Sequence, residues 1–242
     1  MKGDPMDSVR EILTEEAEHP PAAPPKPSVP KPGRRELTWV GFLAVYCVGF
    51  AVFGIYRYLT LDPSISRLGI RTDLPWHYPL FITHIYTAVV SIVLAWIQVW
   101  PWFRARHPRA HRIVGRWYFF AGVFPSAALA IPAALLTVSG PDVRLALLAM
   151  DACWIITMIC GYRTARQRKF GEHRKWMLRN VAMTTSTVTL RPLNIILVET
   201  GMSYEQAYAS ATWGAVLGHL LFVEWYLLRP KKKRRPVPGR RS

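Results

Sequence analysis

Acidic residues are scarce in this chain: 15 Asp and Glu stand against 31 Lys and Arg, a formal net charge of +16 over 242 residues. In a soluble protein that balance would suggest nucleic acid as a partner. Here the bases sit beside the ends of long apolar runs, where they orient a membrane protein and meet anionic lipid headgroups, so no nucleic acid is expected. Cysteine is scarcer still. Cys47, Cys153 and Cys160 all fall inside apolar runs, away from any loop that an oxidising compartment would cross-link, and no disulfide framework follows. Cys153 and Cys160 share a helix face, yet thiols in that setting read as small apolar packing groups. The first 20 residues lack the apolar core of a signal peptide and carry Glu11, Glu15, Glu16 and Glu18 instead. Walker loop, Rossmann glycine fingerprint and nucleophile–base pair are all missing, so soluble-type catalysis is not expected and no reaction is assigned.

What the chain has in abundance is apolar length. Hydrophobic residues make up 51% of it, gathered into six stretches of roughly 20 residues or more, the length a helix needs to cross a bilayer. The expected spans are 37–58, 78–100, 113–138, 143–162, 175–198 and 206–228. The fold class is therefore all-α, a polytopic membrane protein built as a bundle of six transmembrane helices. Pro125 and Pro132 interrupt the third span and predict kinks there. Trp and Tyr at the span ends, Trp39, Trp100, Trp117, Tyr162 and Trp225 among them, form an interfacial belt.

The chain divides into three parts. Residues 1–36 form a tail whose proline-rich stretch 20–32 reads as a disordered linker, preceded by a short helix at 7–18 with Ser8 and Glu11 spaced as a capping box. Residues 37–229 are the six-helix domain, and 230–242 a basic tail; both tails could recruit protein partners. Bases gather in alternate connections: Arg104, Arg106, Arg109 and Arg112 after the second span, Arg163 to Lys175 after the fourth, and Lys231 to Arg235 after the sixth. The connection after the third span offers only Arg144, and the one after the fifth has Glu199 and Glu205. The positive-inside rule then puts both termini in the cytoplasm.

Charged and strongly polar groups within spans are costly, so they face the bundle interior and mark function or a structural pair. On the fifth span Asn180, Thr184, Thr187, Arg191 and Asn194 recur at helical spacing and share one face. Counting inward from the outer ends sets Arg191 and Asp151 at nearly the same depth, with His84 close by. An outer-leaflet cluster of His84, Asp151, Arg191 and Asn194 is expected. A second group gathers at the cytoplasmic end: His111, Gly115, Arg116 and Tyr118 entering the third span, His173, Trp176 and Arg179 entering the fifth, and Glu224 in the sixth. Glu224 is expected to pair with Arg116 or Arg179, which keeps its carboxylate ionised. An internal ion pair that only sets helix register is the alternative for either cluster.

Histidine is the informative type, because neutral imidazole ligates haem iron between membrane helices. His111 and His173 lie at similar depth on facing helices; His84 is a further candidate ligand, and His219 lies nearer mid-membrane. The run His107-Pro108-Arg109-Ala110-His111-Arg112-Ile113-Val114-Gly115-Arg116-Trp117-Tyr118 resembles the central signature of the bacterial membrane proteins grouped as domain of unknown function 2306. His84-Ile85, His173-Arg174-Lys175-Trp176-Met177-Leu178-Arg179 with Thr189-Leu190-Arg191, and Glu224-Trp225 are similar to its other blocks. The resemblance implies a multi-pass protein of the bacterial inner (plasma) membrane and marks His84, His111, Gly115, Arg116, Tyr118, His173, Trp176, Arg191 and Glu224 as motif positions. His219 departs from the asparagine-like residue the resemblance implies.

Three functional classes remain open. The favoured one is electron transfer through b-type haem held by His111 and His173. The second is a transporter or proton-coupled channel using the polar stripe of the fifth span, with Asp151, Arg191 and Glu224 as gates. The third is a non-catalytic scaffold or assembly factor.

Overall fold

The computed structural model describes residues 30–229 apart from 57, 66–69 and 72. The helix expected at 7–18, most of the 20–32 linker and the tail from 230 onward lie outside the described residues. Among the described residues the chain is all helical, and six helices are long and apolar enough to cross a membrane. They are α1 (Arg34–Tyr56), α2 (His77–Val99), the composite Pro108–Leu135, α6 (Pro141–Arg166), α7 (Phe170–Glu199) and α8 (Tyr204–Leu228). The composite span consists of α4 (Pro108–Trp117), a π-helical turn (Tyr118–Val123) and α5 (Phe124–Leu135). A short helix, α3 (Pro101–Arg106), lies between α2 and α4.

Local chemistry sets the ends. Pro101, Pro108 and Pro141 each open a helix, where the missing N–H would have had no partner. Ser203 caps α8, its hydroxyl accepting the Gln206 N–H at 3.3 Å. Gly140 (φ 88°) and Gly201 (φ 95°) turn the chain into α6 and out of α7 in the left-handed region, where a Cβ would be strained. The kink expected at Pro125 takes the form of the π-helical turn just before it. Proline offers no N–H to the Ala121 carbonyl and its ring crowds that carbonyl, so the helix widens by a residue. The fourth and fifth spans run further than apolarity alone indicates, because their arginine-bearing ends continue as helix beyond the apolar stretch.

α7 is the axis of the bundle. Of its apolar stretch 44% is buried, against 17% for α1 at the rim. α7 packs most extensively on α8 and α6, and also meets α2 and α1. Lipid tails are as apolar as leucine, so these helices associate through close packing and hydrogen bonds rather than the hydrophobic effect. Small residues make that approach close. Ala207, Ala211 and Ala215 are buried on α8, and a Cβ on Gly214 would stand 3.3 Å from Leu193 of α7. At Gly122, in the π-helical turn, a Cβ would come within 2.9 Å of the Ser91 backbone nitrogen, so only glycine lets this turn lie against α2. Phe42, Val45, Phe53 and Leu221 point outward, as lipid-facing side chains do.

Candidate functional site

Between α2, α5, α6, α7 and α8 lies a cavity of about 120 Å³, room for several waters or a small solute. It extends from the connection before α2, at Ile70 and His77, past the middle of that helix to Ser91 and Ile92. Its walls are largely apolar, with Ala88, Ala130, Leu147 and Leu190, but His84, Asp151, Thr184, Thr187 and Arg191 also line it. Sequence reasoning grouped His84, Asp151, Arg191 and Asn194; three of the four line this one space. Asn194 is buried with its Oδ1 unpartnered among the described residues, and it is not one of the lining residues.

Each lining group is held differently. His84 donates its Nδ1–H to the Ser126 carbonyl at 2.9 Å, which leaves the Nε2 lone pair uncommitted. Asp151 is 4% exposed, and among the described residues neither carboxyl oxygen has a hydrogen-bond partner. Arg191 lies 5.9 Å from the centre of the Tyr208 ring and forms no ion pair among the described residues. The expected equal depth of Asp151 and Arg191 is corrected by helix register. Trp154 Nε1 donates to Thr184 Oγ1 at 2.9 Å and Asn180 Nδ2 to Thr157 Oγ1 at 3.0 Å. These contacts between antiparallel helices set Asp151 opposite Thr187. Arg191 lies a further four residues along α7, about 6 Å. The two charges therefore share the cavity without meeting.

Below the cavity is a buried polar network that sequence reasoning saw only in part. Tyr118, at the start of the π-helical turn, donates to Asn180 Oδ1 at 2.6 Å and shares a 2.8 Å hydrogen bond with Thr184 Oγ1. Thr184 is thus both a cavity wall and a member of the network. The spacing of Asn180 and Thr184 on one face of α7 signalled it; Trp154 and Thr157 on α6 carried no signal of their own. His219 belongs elsewhere: its Nδ1 donates to the Ala215 carbonyl, and its Nε2 accepts from Thr189, whose hydroxyl also meets Tyr46.

The arginine-rich end holds the second group. His173 donates its Nδ1–H to the Gly161 carbonyl at 2.9 Å. Arg104 and Arg112 bear electrostatically on His111, whose Nδ1 is buried without a partner among the described residues. Burial first, and then the charge of Arg174, depress the pKa of Arg104 on α3. Arg179 grips Glu224 with two hydrogen bonds, at 2.5 and 2.9 Å. That resolves the expected pairing in favour of Arg179, while Arg116 is exposed. Among the described residues no group of three or more metal-ligating side chains converges. Near the opposite end Arg71 holds the Asp73 carboxyl below the usual carboxylate range through a 2.7 Å ion pair.

Six membrane-spanning helices with ionisable side chains buried between them define the class: an integral, polytopic α-helical membrane protein. Residues 81–227 match the family described as predicted membrane protein, DUF2306, and the chain belongs to that family. No characterised protein and no solved structure matches it.

Proposed function

We propose that this chain is a solute-translocating membrane protein of the transporter class, with the cavity as its solute site. The observation that carries the reading is Asp151, a buried carboxyl with both oxygens unpartnered among the described residues, in a space it shares with Arg191 and His84. A lone acidic group inside a bundle costs several kcal/mol, and it is satisfied when a proton or the cationic part of a solute arrives. Helix irregularities flank the cavity, as in transporters that bind at mid-membrane. Pro192, next to Arg191, removes the N–H that would bond the Val188 carbonyl, and the π-helical turn carries Tyr118. With the arginine-rich end in the cytoplasm of a bacterial inner membrane, the cavity occupies the outer half and the Tyr118 network lies beneath it.

Access from both sides tests this without a known substrate. Thr187→Cys, in protein with Cys47, Cys153 and Cys160 replaced by Ser, is exposed to a charged methanethiosulfonate in right-side-out and inverted vesicles. Labelling from both sides is expected. Labelling from one side alone, or from neither, would sink translocation.

A second reading is b-type haem held by His111 and His173 at the arginine-rich end. It is favoured by the His173–Gly161 hydrogen bond, which leaves the Nε2 lone pair free to ligate iron. When bound, haem would supply one-electron transfer. Protein purified after growth with haem precursor would then show sharp reduced b-type bands, lost in His173→Ala; a flat spectrum from folded protein rules this reading out.

A further inference from the structure

The charges in the cavity narrow the chemistry of what it takes. Among the described residues Asp151 presents both oxygens unpartnered, and Arg191, a helical turn away along the same space, has no carboxylate partner. A solute that is only cationic answers Asp151 and leaves the guanidinium to neutral partners such as the Tyr208 side chain. One that is only anionic answers Arg191 and leaves the carboxyl bare unless a proton comes with it. A neutral solute answers neither, and a buried charge without a partner is expensive. His84 adds an acceptor, its Nδ1–H being tied to Ser126. The same cavity is lined by apolar side chains such as Ala88, Leu147 and Leu190 as well as by Thr187, which suits a short hydrocarbon spacer between the two charges.

We infer that the ligand of this cavity is a small zwitterion, its ammonium-type group at Asp151 and its acidic group at Arg191, with the two charges separated by about one helical turn. This rests on the reading of the cavity as a solute site. It adds the ligand's class and the separation of its charges, and it holds whether the solute crosses the membrane or is only bound.

Isothermal titration of the purified full chain in mild detergent tests it with four probes: 4-aminobutanoate, whose extended charges are about a turn apart, glycine, butylamine and butanoate. 4-Aminobutanoate is expected to bind at least about tenfold more tightly than the other three. Asp151→Asn is expected to weaken 4-aminobutanoate and butylamine by about tenfold or more and to leave butanoate unchanged; Arg191→Gln is expected to weaken 4-aminobutanoate and butanoate and to spare butylamine. Butylamine or butanoate binding as tightly as 4-aminobutanoate overturns the inference, the latter pointing to an anion taken up with a proton. Glycine binding as tightly overturns the charge separation. Folded protein that binds none of the four also overturns the inference. The ranking of probes on the unaltered protein decides the matter even where a variant fails to fold. Since the vesicle-labelling assay needs no ligand, failure of the zwitterion and failure of the transporter reading are told apart.

Discussion

At Tyr118 a single hydroxyl serves two partners, Asn180 at 2.6 Å and Thr184 at 2.8 Å, and the side chain is 2% exposed. Tyr118→Phe keeps the ring packing and removes both bonds, so it should destabilise the protein by about 1 kcal/mol, the range of interhelical hydrogen bonds in membranes. Thermal unfolding in detergent or bicelles measures this; an unchanged midpoint would mean that the network reorganises without cost. The sequence marked Tyr118 through the Gly-Arg-x-Tyr run and marked Asn180 and Thr184 through their spacing. Nothing in it joined them. Trp154 looked like one more apolar aromatic, although its indole N–H completes the network at Thr184. Ser126, which sets the His84 ring, was invisible for the same reason: a lone serine in an apolar run has no pattern.

Between elements, the bond from Arg179 to Glu224 ties the arginine-rich ends of α7 and α8. Both side chains keep partial access to the surface, 21% and 39%, so screening limits what the pair contributes. A double-mutant cycle with Arg179→Gln and Glu224→Gln should give a coupling of about 1 kcal/mol. A coupling indistinguishable from zero would leave the two helices held by packing alone. This pairing was half legible: counting from the span end set Glu224 level with both Arg116 and Arg179, and the geometry of adjacent helices chose between them. The outer cluster was legible to a similar degree. Depth counts assume that the outer ends of α6 and α7 are level, whereas the side-chain bonds between the two helices set a different register. The resulting error was about one turn, enough to turn an expected meeting of Asp151 and Arg191 into two separate charges on one cavity.

For the molecule as a whole, the basic residues make an orientation testable. α3, the start of α4, the end of α6 and the start of α7 together carry the arginine-rich connections, whereas the turns at Gly140 and Gly201 lie at the opposite end. The positive-inside rule predicts that a fluorescent protein fused to the C-terminus lights up in a bacterial host. Alkaline phosphatase fused at the same point, which needs the oxidising periplasm, should be inactive. The reverse pattern would invert the molecule and move the cavity to the cytoplasmic half.

Span number, their approximate limits and the membrane environment followed from the sequence alone, because apolar length and flanking charge are properties of the chain read along one dimension. Family membership was legible for a related reason: the basic-histidine runs are contiguous. Which polar groups share a space was decided only by the tertiary structure. The cavity draws its walls from five helices, and its character depends on a register between α6 and α7 set by side-chain bonds that no single segment encodes. The unpartnered state of Asp151 is of the same kind, since a missing contact can be seen only once every neighbour has been brought into position.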